Sequence, residues 1–129
     1  MMVEFFADGS ADAPLVLIYG RDPNDAVTLS SALAGLAEST VTCVAIHELS
    51  GFFSIDGCQL FGSVAGSDTG LRMVESSGIF ECALRPETWA EVVGLLEPFS
   101  RAPETSSTTF QYLDEHGDIR LLISTERAW

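Results

Sequence analysis

The longest strongly apolar run in this chain is LVLIY, Leu15–Tyr19. A run that short, with β-branched and aromatic members, predicts a buried strand. It is far from the ~20 apolar residues that cross a bilayer. The rest of the chain is punctuated in the same way. Val3–Ala7 predicts a strand, and DGSADAP after it is turn material. Ser54–Gly57, Ser67–Gly70 and Ser76–Gly78 are further turn signals. They predict an antiparallel meander that ends in a strand with Phe80, Cys82 and Leu84 on its core face. Thr40–Glu48 reads as a strand with apolar residues on both faces, which places it centrally. Cys43, Cys58 and Cys82 each sit in an apolar stretch, so buried reduced thiols are expected.

Two stretches have helical spacing instead, and each opens with a proline. Asp22-Pro23-Asn24-Asp25 supplies a capping carboxylate, a proline suited to the first helical position and an anion in the first turn. The helix predicted from it runs to about Ser39, with Leu29, Leu33 and Leu36 on one face. Pro86-Glu87 opens a second helix, striped by Trp89, Val92 or Val93, and Leu96 and stopped by Pro98. Ser100–Ser107 is a polar loop. Thr108–Leu113 and Ile119–Ser124 flank Asp114-Glu115-His116-Gly117-Asp118 as a hairpin.

These elements predict one α+β domain over residues 1–129, with a mainly antiparallel sheet and two helices packed on one face. A parallel crossover over Leu15–Ile46 would make the sheet mixed.

Charge narrows the function classes. Acidic residues number 19 against six basic ones, for a formal net charge of −13, and every basic residue is Arg. Such a surface repels phosphate backbones and anionic membranes, so neither nucleic acid nor membrane is expected as a partner. The same surface attracts a basic protein. Plain solubility and adaptation to high salt are the competing explanations of the charge. The stretch MMVEFFADGSADAP has acids where a secretory signal needs apolar residues, so a cytoplasmic location is expected.

Chemistry has little to build on. His47 and Cys43 on one strand face would stand ~13 Å apart, too far for proton transfer. His116 falls in a hairpin tip. No metal-ligand spacing appears, and DEHGD reads as a solvated turn. YGRDPND joins a strand to a helix, but its acids would repel a phosphate. No catalytic, cofactor or metal residue is therefore assigned. A small enzyme using Cys58 or Cys82 with a histidine is the remaining alternative.

The last twenty residues, FQYLDEHGDIRLLISTERAW, give a QYLD pattern, a polar turn, an apolar strand and an acid–aromatic ending. This ending resembles the C-terminal hairpin of small bacterial immunity-type proteins of polymorphic toxin systems. ECALRPETWAEVVGLL ahead of it is compatible with that resemblance. One position departs: the histidine often found before Gln-Tyr is Phe110 here. The resemblance implies a small, non-enzymatic, cytosolic inhibitor that occludes a toxin's active site. Tyr112, Asp114, Glu115, Asp118 and Trp129 are the expected contacts to a basic partner. A self-associating domain, dimerising through a sheet edge or an apolar face, is the second expectation.

Overall fold

A carboxylate before a proline starts the first helix. Asp22 accepts the N–H of Asn24 at 2.9 Å, Pro23 occupies the first turn, and helix α1 runs Pro23–Ala37. Its buried face is Leu29, Leu33 and Leu36, the stripe that the spacing predicts, extended by Ala26. The second helix, α2 (Pro86–Leu95), buries Thr88, Trp89 and Val92. Its own N-cap residue, Arg85, makes no side-chain capping bond. Asp68 stands there instead, accepting the Arg85 N–H at 2.9 Å and the Thr88 hydroxyl at 2.8 Å. That backbone N–H, with the Thr88 and Arg85 side chains, holds the Asp68 carboxyl down at about 2.

The computed structural model describes residues 1–74, 78–101 and 108–129. Within them the strands are β1 (Met2–Phe6), β2 (Leu15–Tyr19), β3 (Cys43–Ala45), β4 (Phe53–Ser54), β5 (Gln59–Val64), β6 (Gly70–Val74), β7 (Ile79–Leu84), β8 (Phe110–Asp114) and β9 (Arg120–Ser124). They form two sheets, ordered β4-β1-β2-β9-β8 and β3-β5-β7-β6. In the first, β1/β4 and β2/β9 are parallel and the other two pairs antiparallel. In the second, β5/β7 is parallel and its neighbours antiparallel. The fold is α+β, with mixed sheets.

Three expectations change. The strand expected over Thr40–Glu48 shrinks to Cys43–Ala45 and lies at a sheet edge, followed by a 3-10 turn at Ile46–Glu48. Its first residues are used elsewhere: the N–H groups of Thr40 and Val41 cap α1 by bonding the Gly35 carbonyl. Cys43 is consequently exposed, whereas Cys58 and Cys82 are buried. The meander is not consecutive, because β5 pairs with β7 and β6 lies beyond it. The crossover fails as well, since β2 and β3 belong to different sheets. Ser76, Ser77 and most of the Ser100–Ser107 loop fall outside the described residues.

One core joins these parts. Val3, Val16, Ile18, Leu121 and Ile123 face it from the first sheet, and Leu60, Phe80, Cys82 and Leu84 from the second. Leu29, Leu33, Leu36, Trp89, Val92 and Leu96 enter from the helices. Helix and sheet approach closely at Gly62, where an added Cβ would stand 3.0 Å from Trp89 and 3.2 Å from Leu36. The Trp89 indole N–H donates to the Ser63 carbonyl at 2.8 Å.

The two sheets meet at a seam. Leu71 of β6 bridges Ile119, and its N–H donates to Asp114 Oδ2 at 3.2 Å. Gly70 and Gly117 lie back to back there. No helix among the described residues is long and apolar enough to cross a membrane.

Candidate functional site

Strand alternation gives the first sheet a second face, turned away from the helices. Leu15, Leu17 and Leu122 lie on it, fully buried, under Phe6, Tyr19, Tyr112 and Trp129. Those four aromatics are themselves only half-buried. The strand register orders this face into rows. One row runs Phe53, Met2, Tyr19, Ser124, Phe110 across all five strands. At strand spacing it is ~19 Å long. Phe53, Met2 and Phe110 on this row are 60%, 36% and 43% exposed.

The C-terminal tail folds back over the same face. Ser124 donates its hydroxyl to the Ala128 carbonyl at 2.6 Å, so the tail crosses the row there. Arg127 then lies over the Phe6 ring, 5.0 Å from its centroid, and forks onto both oxygens of Glu4 at 3.0 and 2.8 Å. Tyr19 donates to the same carboxylate at 2.9 Å. The Arg127 bonds pull the Glu4 carboxyl below its ordinary range, and Glu4 raises Arg127 in return. Trp129 packs edge-on against Phe6, with ring centroids 5.2 Å apart.

Asp12 ties two of the expected contact residues together. Its Oδ1 accepts the Tyr112 hydroxyl at 2.7 Å and its Oδ2 the Trp129 indole N–H at 3.1 Å. That hydrogen bond from Tyr112 raises its phenol above the ordinary value. Arg120 holds the Asp12 carbonyl at 2.9 Å and approaches Glu115 at 3.4 Å. Tyr112 and Trp129 therefore stand side by side on the outer face.

The other three expected residues separate. Asp118 and Glu115 are exposed at the hairpin end. Asp114 is buried, with a side chain 1% exposed, and is not a surface contact. Its two oxygens are taken by the Leu71 N–H and by the N–H and ring of His116, whose Nδ1 lies 2.6 Å away. The carboxylate pins the seam between the sheets. His116 is half-exposed, and Asp114 raises its pKa despite some desolvation, with Asp68 and Glu91 adding to the effect.

Tyr112 also lines a groove of about 300 Å³ between α2 and the end of β8. The groove is walled by Glu91, Val92 and Leu95 on one side and by Glu115 and His116 on the other.

The thiols and His47 are differently placed. Burial pushes the Cys58 thiol up to about 11 and Cys82 well above its ordinary value. Both stay protonated and poorly nucleophilic at neutral pH. His47 accepts the Leu60 N–H at Nδ1, 3.0 Å away. Among the described residues no group of three or more His, Cys, Asp or Glu side chains could hold a metal ion.

Sequence reasoning missed Asp12, which sits inside what reads as turn material, and missed the Phe53–Phe110 row. The alternation of Phe110 and Tyr112 was a usable signal for part of that row. Nothing local marks Phe53 or Asp12. Comparison with known proteins returns no match: no protein family, no curated protein and no solved structure matches this chain.

Proposed function

We propose that this chain is a non-enzymatic, acidic binding protein of the immunity or inhibitor kind, which docks a basic partner protein on the outer face of its five-stranded sheet. The observation that carries the reading is the apolar row Phe53–Met2–Tyr19–Ser124–Phe110, with exposed side chains on both sides of the folded-back tail. Large apolar side chains gathered on one face, beside rigidly held aromatics, are what interface cores are made of. Tyr112 and Trp129 are already ordered by Asp12, so little side-chain entropy is lost on binding. The net charge of −13 favours a basic partner and speeds its encounter. The resemblance of the last hairpin to immunity-type proteins supports an inhibitor in particular, working in the cytoplasm beside its target.

A second copy of the chain is the competing occupant, because the same sheet ends in two edge strands, β4 and β8. Affinity capture from the native host's lysate at low and high salt separates the two. A basic protein held at low salt, released as salt rises and lost on Phe110→Asp with Phe53→Asp supports the proposal. A retained hot-spot residue is worth ~2 kcal/mol or more, roughly thirtyfold in affinity. Capture of the chain alone, together with a dimer in sedimentation that the same substitutions dissolve, overturns it in favour of self-association.

A further inference from the structure

His116 stands where the two sheets meet, with a carboxylate on each side of it. Asp114, at the end of β8, belongs to its own hairpin. Oδ1 of Asp114 takes the ring at Nδ1, 2.6 Å away, and the His116 backbone N–H at 3.3 Å. Asp68 lies across the seam, in the turn ahead of β6, and its Oδ2 is 4.0 Å from Nε2. Asp68 also holds the start of α2, through the Arg85 N–H and the Thr88 hydroxyl. The ring therefore reaches from the hairpin of the first sheet to the turn that starts α2.

The charge facing the ring is negative on balance. Asp114, Asp68 and Glu91 of α2 all favour the imidazolium. Arg85 pairs with Asp68 at 3.2 Å and offsets part of its charge. Glu115, next to the ring in sequence, lies 3.4 Å from Arg120. Cys82, buried near both aspartates, stays protonated and adds no charge. The two ring nitrogens differ in what they do. A carboxylate only accepts, so Nδ1 keeps its hydrogen for Asp114 in either charge state. The titrating proton is then the one on Nε2. With it, the ring sets a positive charge opposite Asp68. Without it, a bare lone pair faces that carboxylate and the electrostatic tie across the seam is gone. What still holds the hairpin end is one backbone bridge, Leu71–Ile119, the Leu71 N–H on Asp114 and the packing of Leu113 and Ile119 on the core. The ladders β6/β7 and β8/β9 lie on either side and do not depend on it. Strand β8 shifts register between Tyr112 and Asp114, which gives the hairpin end a break at which to turn.

We propose that His116 is a proton-operated latch on this seam, closed when the ring is charged and loosened at the hairpin end, residues 114–119, when it is neutral. Both sheets stay folded in either state. Asp114 raises the ring above its ordinary 6.5, so the closed state is complete below 6.5 and fades as pH rises through the folded value. The inference concerns the fold's own response to pH, and it stands whether or not the outer face docks a partner.

Amide hydrogen exchange at Leu71 reads the latch, because that N–H bonds Asp114 across the seam. The ring is titrated by NMR in the same samples. After correction for the intrinsic rate, Leu71 protection should fall by up to roughly fivefold as pH rises through the ring's titration, the scale of a half-exposed ion pair. Asp68 stays ionised throughout, since its carboxyl is held at about 2. Leu71 should exchange faster than the amides of β5 and β7. Unlike theirs, its rate should hardly change in low urea, the signature of a local opening. Asp68→Asn keeps an acceptor for the Arg85 N–H and the Thr88 hydroxyl but loses the charge. In that variant the pH dependence at Leu71 should vanish while the ring still titrates against Asp114. Leu71 protection that stays flat across the titration overturns the latch. So does a Leu71 rate with the same urea dependence as β5 and β7, because the seam then opens only when the whole chain unfolds. A pH dependence unchanged in Asp68→Asn overturns it as well, assigning the effect to Asp114 alone. Should Asp68→Asn fail to fold, the first two readings on the parent protein still decide.

Discussion

Replacing Gly117 with alanine should strike the seam between the two sheets. A Cβ on Gly117 would stand 2.2 Å from the Leu71 carbonyl oxygen and 2.7 Å from its nitrogen. Both are backbone atoms, so no rotamer change relieves the contact. The hairpin end must move away from β6 by about an ångström to restore ordinary packing distance. That movement breaks the Leu71–Ile119 bridge and the bond from Leu71 N–H to Asp114, stranding a buried carboxylate oxygen. Overpacking costs about 1–3 kcal/mol and the stranded buried group about 1–3 more. The sum, about 2–6 kcal/mol, is a large share of the ~5–15 kcal/mol that holds a domain together. At this chain length it lowers the melting temperature by roughly 10–20 °C. Gly117 is not among the glycines with positive φ, so alanine meets no conformational penalty of its own there. Two controls separate the causes. Gly57 has φ +72 and nothing within 4 Å of an added Cβ, so Gly57→Ala should cost only the ~1–2 kcal/mol of a left-handed residue. Gly94 lies in α2 with open space around it, and Gly94→Ala should stabilise by ~0.5–1 kcal/mol. Urea unfolding followed by tryptophan fluorescence measures all three. Gly117→Ala within ~0.5 kcal/mol of the parent, or less harmful than Gly57→Ala, would refute the reasoning.

His116 makes stability pH-dependent. Its folded pKa is raised above the ordinary 6.5 by Asp114, so its contribution is complete below 6.5 and is lost as pH rises through the folded value. The urea midpoint should fall modestly over that window, the effect being screened because the ring is half-exposed, and His116→Asn should flatten the slope. Asp12→Asn should bring the Tyr112 phenol back toward its ordinary 10, read by ultraviolet titration, since the Asp12 hydrogen bond is the first cause of its rise. An unchanged Tyr112 titration in that variant would contradict the pairing.

Local chemistry was legible in the sequence, and long-range pairing was not. The Asp22 cap, the Pro23 start, the Leu29–Leu33–Leu36 stripe and the last hairpin all depend on residues a few positions apart. The structure forms each of them. The division into two sheets depends on β2 finding β9 and β5 finding β7, and no short-range signal encodes either choice. Thr40 and Val41 have strand-forming side chains but spend their N–H groups on the end of α1, which shortens β3. At the site, Tyr112 and Trp129 could be named from their chemistry. Their partner Asp12 is 100 and 117 residues away from them, and the partner that buries Asp114, Leu71, is 43 away. A carboxylate's role is set by what the fold brings to it.

The parallel β2–β9 pair sits in the middle of the five-stranded sheet and joins residues 15–19 to 120–124. During synthesis β2 can pair with β1 at once, yet its other edge stays open until β9 has left the ribosome. The second sheet and both helices, spanning residues 23–95, can close meanwhile from nearer contacts. The nascent chain thus carries an unfilled slot beside LVLIY while the roughly hundred residues between β2 and β9 are made. A slot of that kind invites foreign strands, so chaperone demand and yield on expression should depend more on β9 than on any other strand.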